Sequence, residues 1–323
     1  MPPSAAVRVG SPFTGLGPVF MKELSDHLSS IRMLVLTLFV IVFGAFPVAS
    51  SLQQLRTVVG ADAYLFLRIF TIAPEQIALP FVQALNFVIP LMAIGLGFDS
   101  VNSEFNRRTL SRVLSQPIYR DALLLGKFLG GLVTLAVALV ALWLIVFGAG
   151  LLLLGLPPRG VEVARALGFL VVAIAYGGVW LAVSMLFSVV FRSTATSALC
   201  ALGLWLFFFI LWPMIADAIT LGFVPNEIRS VDQLLSLQEL SLALQRLSPG
   251  TLFTEAVIGL LNPETRTLGP MLPSQMRGAI VGAPLPLDES LLMIWPQVTG
   301  LIASMIVLFA AAYVIFQRQE VRA

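Results

Sequence analysis

Six stretches of this chain are long and apolar enough to cross a lipid bilayer, and no other property constrains its fold as tightly. A spanning helix needs about 20 mainly apolar residues. Residues 33–52, 77–98, 128–154, 167–191, 194–219 and 291–316 each supply such a run, and none holds Asp, Glu, Lys or Arg except for Asp217 near the end of the fifth. The bilayer offers no water to free backbone groups, so these runs must be helical. Hydrophobic residues make up 58% of the 323 residues and charged ones 11%, where soluble domains carry about 25% charge. The expected fold is an all-α polytopic membrane protein of six transmembrane helices, one transmembrane domain over residues 1–323. The fourth and fifth spans are separated only by Arg192 and Ser193, which makes them a tight hairpin. The first span is too long for a signal-peptide core and is expected to be retained.

Positive charge near span ends sets orientation. With the N terminus in the cytoplasm, the inner segments hold 11 basic and six acidic residues, and the outer segments hold eight basic and 11 acidic ones. This asymmetry places both termini inside. The formal net charge of +2, spread over scattered loops, does not suit a nucleic-acid partner.

Three segments outside the spans are informative. In residues 15–32, Phe20, Leu24, Leu28 and Ile31 recur at helical spacing with Lys22, Glu23 and Asp26 between them. The pattern fits an amphipathic helix lying in the cytoplasmic interface, with an extension of the first span as the other reading. Residues 99–127 form the one substantial inner loop. Residues 220–290 lie outside, and their leucine-rich pattern predicts two helices broken at Ser248-Pro249-Gly250. Both are too short and polar to span, so they read as interfacial or re-entrant.

Several functions are excluded or disfavoured. Gradient-driven transporters need ionisable groups within the membrane, and these spans offer little beyond Gln83, Asn86, Tyr176 and Gln297. No GxxxxGK[ST] phosphate loop is present; Gly126-Lys127 is followed by Phe128. His27 is the sole histidine and Cys200 the sole cysteine, so neither a histidine metal site nor an intrachain disulfide is expected. Energy for any transport must come from outside this chain.

In the inner loop, Leu110, Val113 and Leu114 share one face of a short helix that Pro117 ends, while Arg107, Arg108 and Arg112 lie on other faces. Such a helix can dock into a groove of a cytoplasmic partner; the residues alone equally allow a solvated, positively charged loop.

The loop resembles the signature of permease subunits of ABC-2 type ATP-binding-cassette transporters, E-x-x-x-G-T-L-x-x-L-L-S-x-P-[IV]-S-R-x-x-[LI]-L-x-G-K. Glu104, Thr109, Leu110, Val113, Leu114, Ser115, Pro117, Ile118, Arg120, Gly126 and Lys127 match it. Arg108 stands where the pattern has glycine and Tyr119 where it has serine. The latter removes an N-cap for the third span, although Asp121 still favours that helix start. The similarity extends to Lys22-Glu23-Leu24, the six spans and the outer insertion. Among subgroups the chain is most similar to permeases of multicopper-enzyme maturation, such as the nitrous oxide reductase accessory transporter.

The resemblance implies a prokaryotic inner-membrane permease that acts as a homodimer with two copies of a cytoplasmic ATPase, surrounded by membrane lipids. ATP and Mg would be bound by the ATPase, leaving this chain without cofactor, metal or catalytic residue. Residues 107–115 would be the coupling helix, with Glu104, Thr109, Pro117 and Arg120 around it. The implied activity is ATP-driven export. The alternatives are a mechanotransducer acting on an external accessory protein and a gradient-driven transporter or channel.

Overall fold

A computed structural model describes residues 14–55, 64–71, 81–106, 119–155, 157–224, 231–269 and 284–319. Six helical segments within it have the length and hydropathy of membrane spans. They are α2 (Ile31–Leu55), α4 (Phe81–Gly97), α6 (Arg120–Leu154), α7 (Gly160–Val190), the pair α8 (Thr194–Leu206) and α9 (Trp212–Gly222), and α12 (Leu287–Arg318). The shorter helices are α1 (Leu16–Leu28), α3 (Leu65–Thr71), α5 (Asn102–Asn106), α10 (Val231–Gln245) and α11 (Pro249–Leu261).

Three spans outrun the windows expected from hydropathy. α6 has 35 residues, α7 has 31 and α12 has 32. At 1.5 Å per residue, each exceeds the roughly 30 Å hydrocarbon core. The added turns contain Arg120, Asp121, Lys127, Glu162, Arg165, Asp288 and Glu289. Apolar composition therefore marks only the part of each helix that lipid demands, while hydrogen bonding continues it into the polar zone.

Helix α7 is the hub, packed against α4, α6, α8, α11 and α12. Small residues let its neighbours approach, since dispersion between close backbones replaces the hydrophobic effect in lipid. A Cβ added at Gly177 would meet Leu135 Cδ1 at 2.7 Å, and one at Gly178 would run into Met305 Sδ. Some polar groups in this core are paired: Tyr176 donates its hydroxyl to Asn86 Oδ1 at 2.7 Å, and Ser184 donates to the carbonyl of Ile94 at 3.1 Å. The window for α4 is 72% buried, whereas those for α8–α9 and α12 are 11% buried. The apolar faces of the last two spans are thus left to lipid or to another chain.

A π-helical stretch, Phe207–Leu211, joins α8 to α9. Pro213, in the first turn of α9, has no N–H for the carbonyl of Phe209, and the wider turn accommodates that lost bond. Two helices flank Ser248-Pro249-Gly250: α10 ends at Gln245 and α11 begins at Pro249. Trp212 donates to the carbonyl of Leu244 at 2.9 Å and ties α10 to the fifth span. Arg165, fully buried near the start of α7, donates to the carbonyl of Leu260 at 2.9 Å and to Ser290 Oγ at 3.0 Å. One guanidinium therefore holds α11 and α12 against α7.

Candidate functional site

The ends of α4, α6, α7 and α12 that flank residues 107–118 form a rim of polar contacts, and α1 lies across it. Two glycines bring α1 there. A Cβ at Gly126 would meet Val19 Cγ1 at 2.7 Å, and one at Gly130 would meet Glu23 Cβ at 2.9 Å. Spaced one helical turn apart, they cut a slot in α6 for one face of α1. That slot buries Val19 and Glu23. Phe20 and Leu24 are half-buried, while Lys22 and Leu28 are exposed.

Glu23 enters the slot because its charge is met there. Lys127 Nζ lies 2.8 Å from Glu23 Oε1 and 2.7 Å from Glu104 Oε1. The Lys127 side chain is 4% exposed, and those of Glu23 and Glu104 are 11% and 16% exposed. Lys22 adds a second contact to Glu23 at 3.2 Å and pairs with Asp26 at 2.9 Å. Burial opposes ionisation of Glu23, but the charge and hydrogen bond of Lys127, with those of Lys22, outweigh it and hold its carboxyl below the usual range. The chain has 17 arginines but only two lysines, and both touch Glu23. A compact ammonium with three donors can serve carboxylates arriving from different helices, which the planar fork of arginine does less well.

The segment before residue 107 is fixed to the bundle. Val101 and Asn102 donate their backbone N–H groups to Ser188 Oγ at 3.0 and 3.2 Å. Asn106 Nδ2 donates to the carbonyl of Arg192 at 3.0 Å, and Arg32 pairs with Asp99 at 2.7 Å. The segment after residue 118 is fixed as well. Arg120 donates to the carbonyl of Gln319 at 3.0 Å, Gln319 Nε2 donates to the carbonyl of Val189 at 2.7 Å, and Gln317 donates to Asp121. Residues 107–118 are thus bracketed by two anchored posts on one rim, one of them tied to α1 through Lys127.

Of the residues singled out from sequence, Phe20, Lys22, Glu23, Leu24 and Leu28 lie on α1, Glu104 on α5, and Arg120 at the start of α6. Arg107, Arg108, Thr109, Leu110, Arg112, Val113, Leu114 and Pro117 lie outside the described residues. The structure brings Glu23 and Glu104 together. It also gives a role to Lys127, which the family signature contains without assigning it one, and it adds Ser188 and Gln319. The rarity of lysine is a second signal for Lys127; for Ser188 and Gln319 the sequence carries none. Tyr119 precedes α6 without a side-chain cap, and Asp121 stands in its first turn. Among the described residues there is no cluster of His, Cys, Asp and Glu able to hold a metal ion.

Comparison with known proteins agrees with this architecture. A segment of 155 residues is 37% identical to the probable ABC transporter permease protein NosY of Pseudomonas aeruginosa, covering 46% of this chain and 54% of that protein. A segment of 205 residues is 31% identical to the probable ABC transporter permease protein NosY of Stutzerimonas stutzeri, covering 61% of this chain and 68% of that protein. The first match thus spans about half the relative's length. The profile of the ABC-2 family transporter proteins matches residues 18–321, nearly the whole chain including the rim, and the chain belongs to that family.

Proposed function

We propose that this ABC-2 permease couples ATP hydrolysis by a separate cytoplasmic ATPase to export across the inner membrane, with both termini in the cytoplasm. It works as a homodimer with two ATPase copies, and residues 107–115 are the coupling helix. ATP and Mg belong to the ATPase. The observation that carries the reading is the buried Glu23–Lys127–Glu104 cluster beside the two anchored posts. A force applied to residues 107–118 meets rigid attachments to the second, third, fourth and sixth spans, and Lys127 passes it on to α1. The helix α1, lying along the interface, then moves with the start of the third span as one lever. ATP must favour one state strongly, since a switch from 1:99 to 99:1 takes about 5.5 kcal/mol.

The test is affinity purification of the tagged chain in mild detergent, followed by ATPase assays. An ATPase subunit should accompany it at equal stoichiometry, and Leu110→Asp should insert normally yet lose ATPase association. A chain that purifies alone and conducts solutes in liposomes without ATP would return the gradient-driven reading. If the complex hydrolyses ATP without moving solute while an external protein is remodelled, the mechanotransducer reading holds.

A further inference from the structure

Away from the rim, toward the start of α4, a cavity of ≈ 400 Å³ opens between α4, α7, the end of α8 with the π-helical stretch that follows it, α10 and α11. Its volume falls within the roughly 300–1,000 Å³ of small-molecule sites. The lid helix α11 closes on it tightly, since a Cβ at Gly250 would meet Asn86 Oδ1 at 2.9 Å.

Its walls specify a chemistry. Trp205, Phe208 and Phe209 make an aromatic side, with the Trp205 and Phe209 rings stacked 5.5 Å apart. Trp205 is 4% exposed, and its Nε1 has no hydrogen-bond partner among the described residues. Trp180, in the same lining, likewise has an Nε1 with no hydrogen-bond partner among the described residues. The π-helical stretch supplies Phe208 and Phe209, and such turns inside α-helices concentrate at functional sites.

The polar side mixes donors and acceptors. Asn86 has Oδ1 occupied by Tyr176, which leaves its amide N–H groups to offer. Thr254 spends its proton on the carbonyl of Gly250, and Gln245 spends Nε2 on Asp217, which leaves oxygen lone pairs on both. A hydroxyl, donor and acceptor at once, can answer both kinds. The one carboxylate in the lining is already neutralised. Arg246 Nε donates to Glu255 Oε1 at 3.1 Å and Oε2 at 2.9 Å, and Gln297 adds a bond to Oε2 at 2.9 Å. Neither a cation nor an anion would find a free countercharge.

We infer that this cavity binds an uncharged amphiphile, its hydroxylated head among Asn86, Gln245 and Thr254 and its apolar part against the Trp205–Phe209 wall. The site lies within one chain and stands apart from the coupling reading.

Native mass spectrometry of the full-length protein in a polyoxyethylene detergent tests it with four probes of equal chain length. They are monoolein, oleate, oleylamine and octadecene, with free glycerol as a fifth arm. Monoolein should give one saturable adduct per chain, and the two charged probes and the alkene should bind at least ~10-fold more weakly. Glycerol binding as well as monoolein would make the ligand a free polyol rather than an amphiphile and overturn the apolar half of the assignment. Trp205→Leu, which removes the aromatic wall, should weaken monoolein by roughly 2–10-fold. Thr254→Phe, which fills the cavity, should abolish the adduct, whereas Trp295→Phe, at an exposed ring, should leave it unchanged. Equal binding of all four long-chain probes by the unmodified protein overturns the proposal without recourse to any variant. Indifference of the adduct to both cavity substitutions does the same.

Discussion

Lys127 and Glu104, 23 positions apart in the chain, lie within 2.7 Å of each other beside α1. The contact joins α5 to α6 and gives Glu23 a cation to meet. Its energetics follow from burial: each group alone would be costly to desolvate, and only the set is tolerable.

Lys127→Met therefore removes the cation that the two carboxylates share, leaving Glu23 with Lys22. Loss of one partner from a buried pair costs about 3–5 kcal/mol, so thermal unfolding in detergent should shift downward by several degrees. Adding Glu23→Gln and Glu104→Gln should recover most of that loss. A single mutant as stable as the parent would show that the cluster contributes nothing.

The slot for α1 gives a contrast among glycines of the same helix. Gly126→Ala drives a methyl toward Val19 and the Phe20 backbone, whereas Gly148 has open space around its Cβ position. The first should cost roughly 1–3 kcal/mol. The second should be neutral or gain up to about 1 kcal/mol. Proteolytic nicking of α1 in membranes should rise only for the first.

Arg165 should behave as a clamp for α11 and α12. Arg165→Met deprives the carbonyl of Leu260 and the hydroxyl of Ser290 of their donor, at about 1–3 kcal/mol for each group left buried and unpaired. Cysteines placed on α11 should then label faster with a membrane-impermeant maleimide, while labelling near Lys127 stays unchanged.

Acid should loosen the rim in two stages. Burial, with the charges of Arg32 and Lys127, lowers the His27 pKa below 6.5 despite Glu23 and Asp99. The folded state thus prefers neutral His27, and stability falls as pH drops below 6.5. Glu23, also lowered, contributes stability that is present above 4.5 and lost as pH falls through its folded-state value. Melting temperature followed from pH 8 downward should show both steps, and His27→Gln should remove only the first.

Much of this architecture is legible in the amino-acid sequence. The six spans follow from apolar runs that hold one charged residue, Asp217, among them, and the break at Ser248-Pro249-Gly250 reappears between α10 and α11. Glu23, Glu104 and Lys127 each stand in a recognisable segment, but nothing in their spacing joins them. The apolar row of α1 gives no sign that an acidic residue is the helix's most deeply seated polar group. The cavity is illegible too, because its lining comes a few residues at a time from elements far apart in the chain.

Sequence by itself determined what the bilayer enforces: which segments are helical, how many cross, and which loop stays polar. Those are local consequences of transfer free energy and backbone hydrogen bonding, readable in a window of some twenty residues. Only the tertiary structure decided which polar groups meet. Lys127 finds Glu23 because Gly126 and Gly130 let α1 approach, and Asn86, Trp205, Gln245 and Thr254 come together where α4, α7, α10 and α11 close around a cavity. Such pairings depend on how helices pack in three dimensions, where small residues set distance and a buried charge must find its partner or not be buried at all.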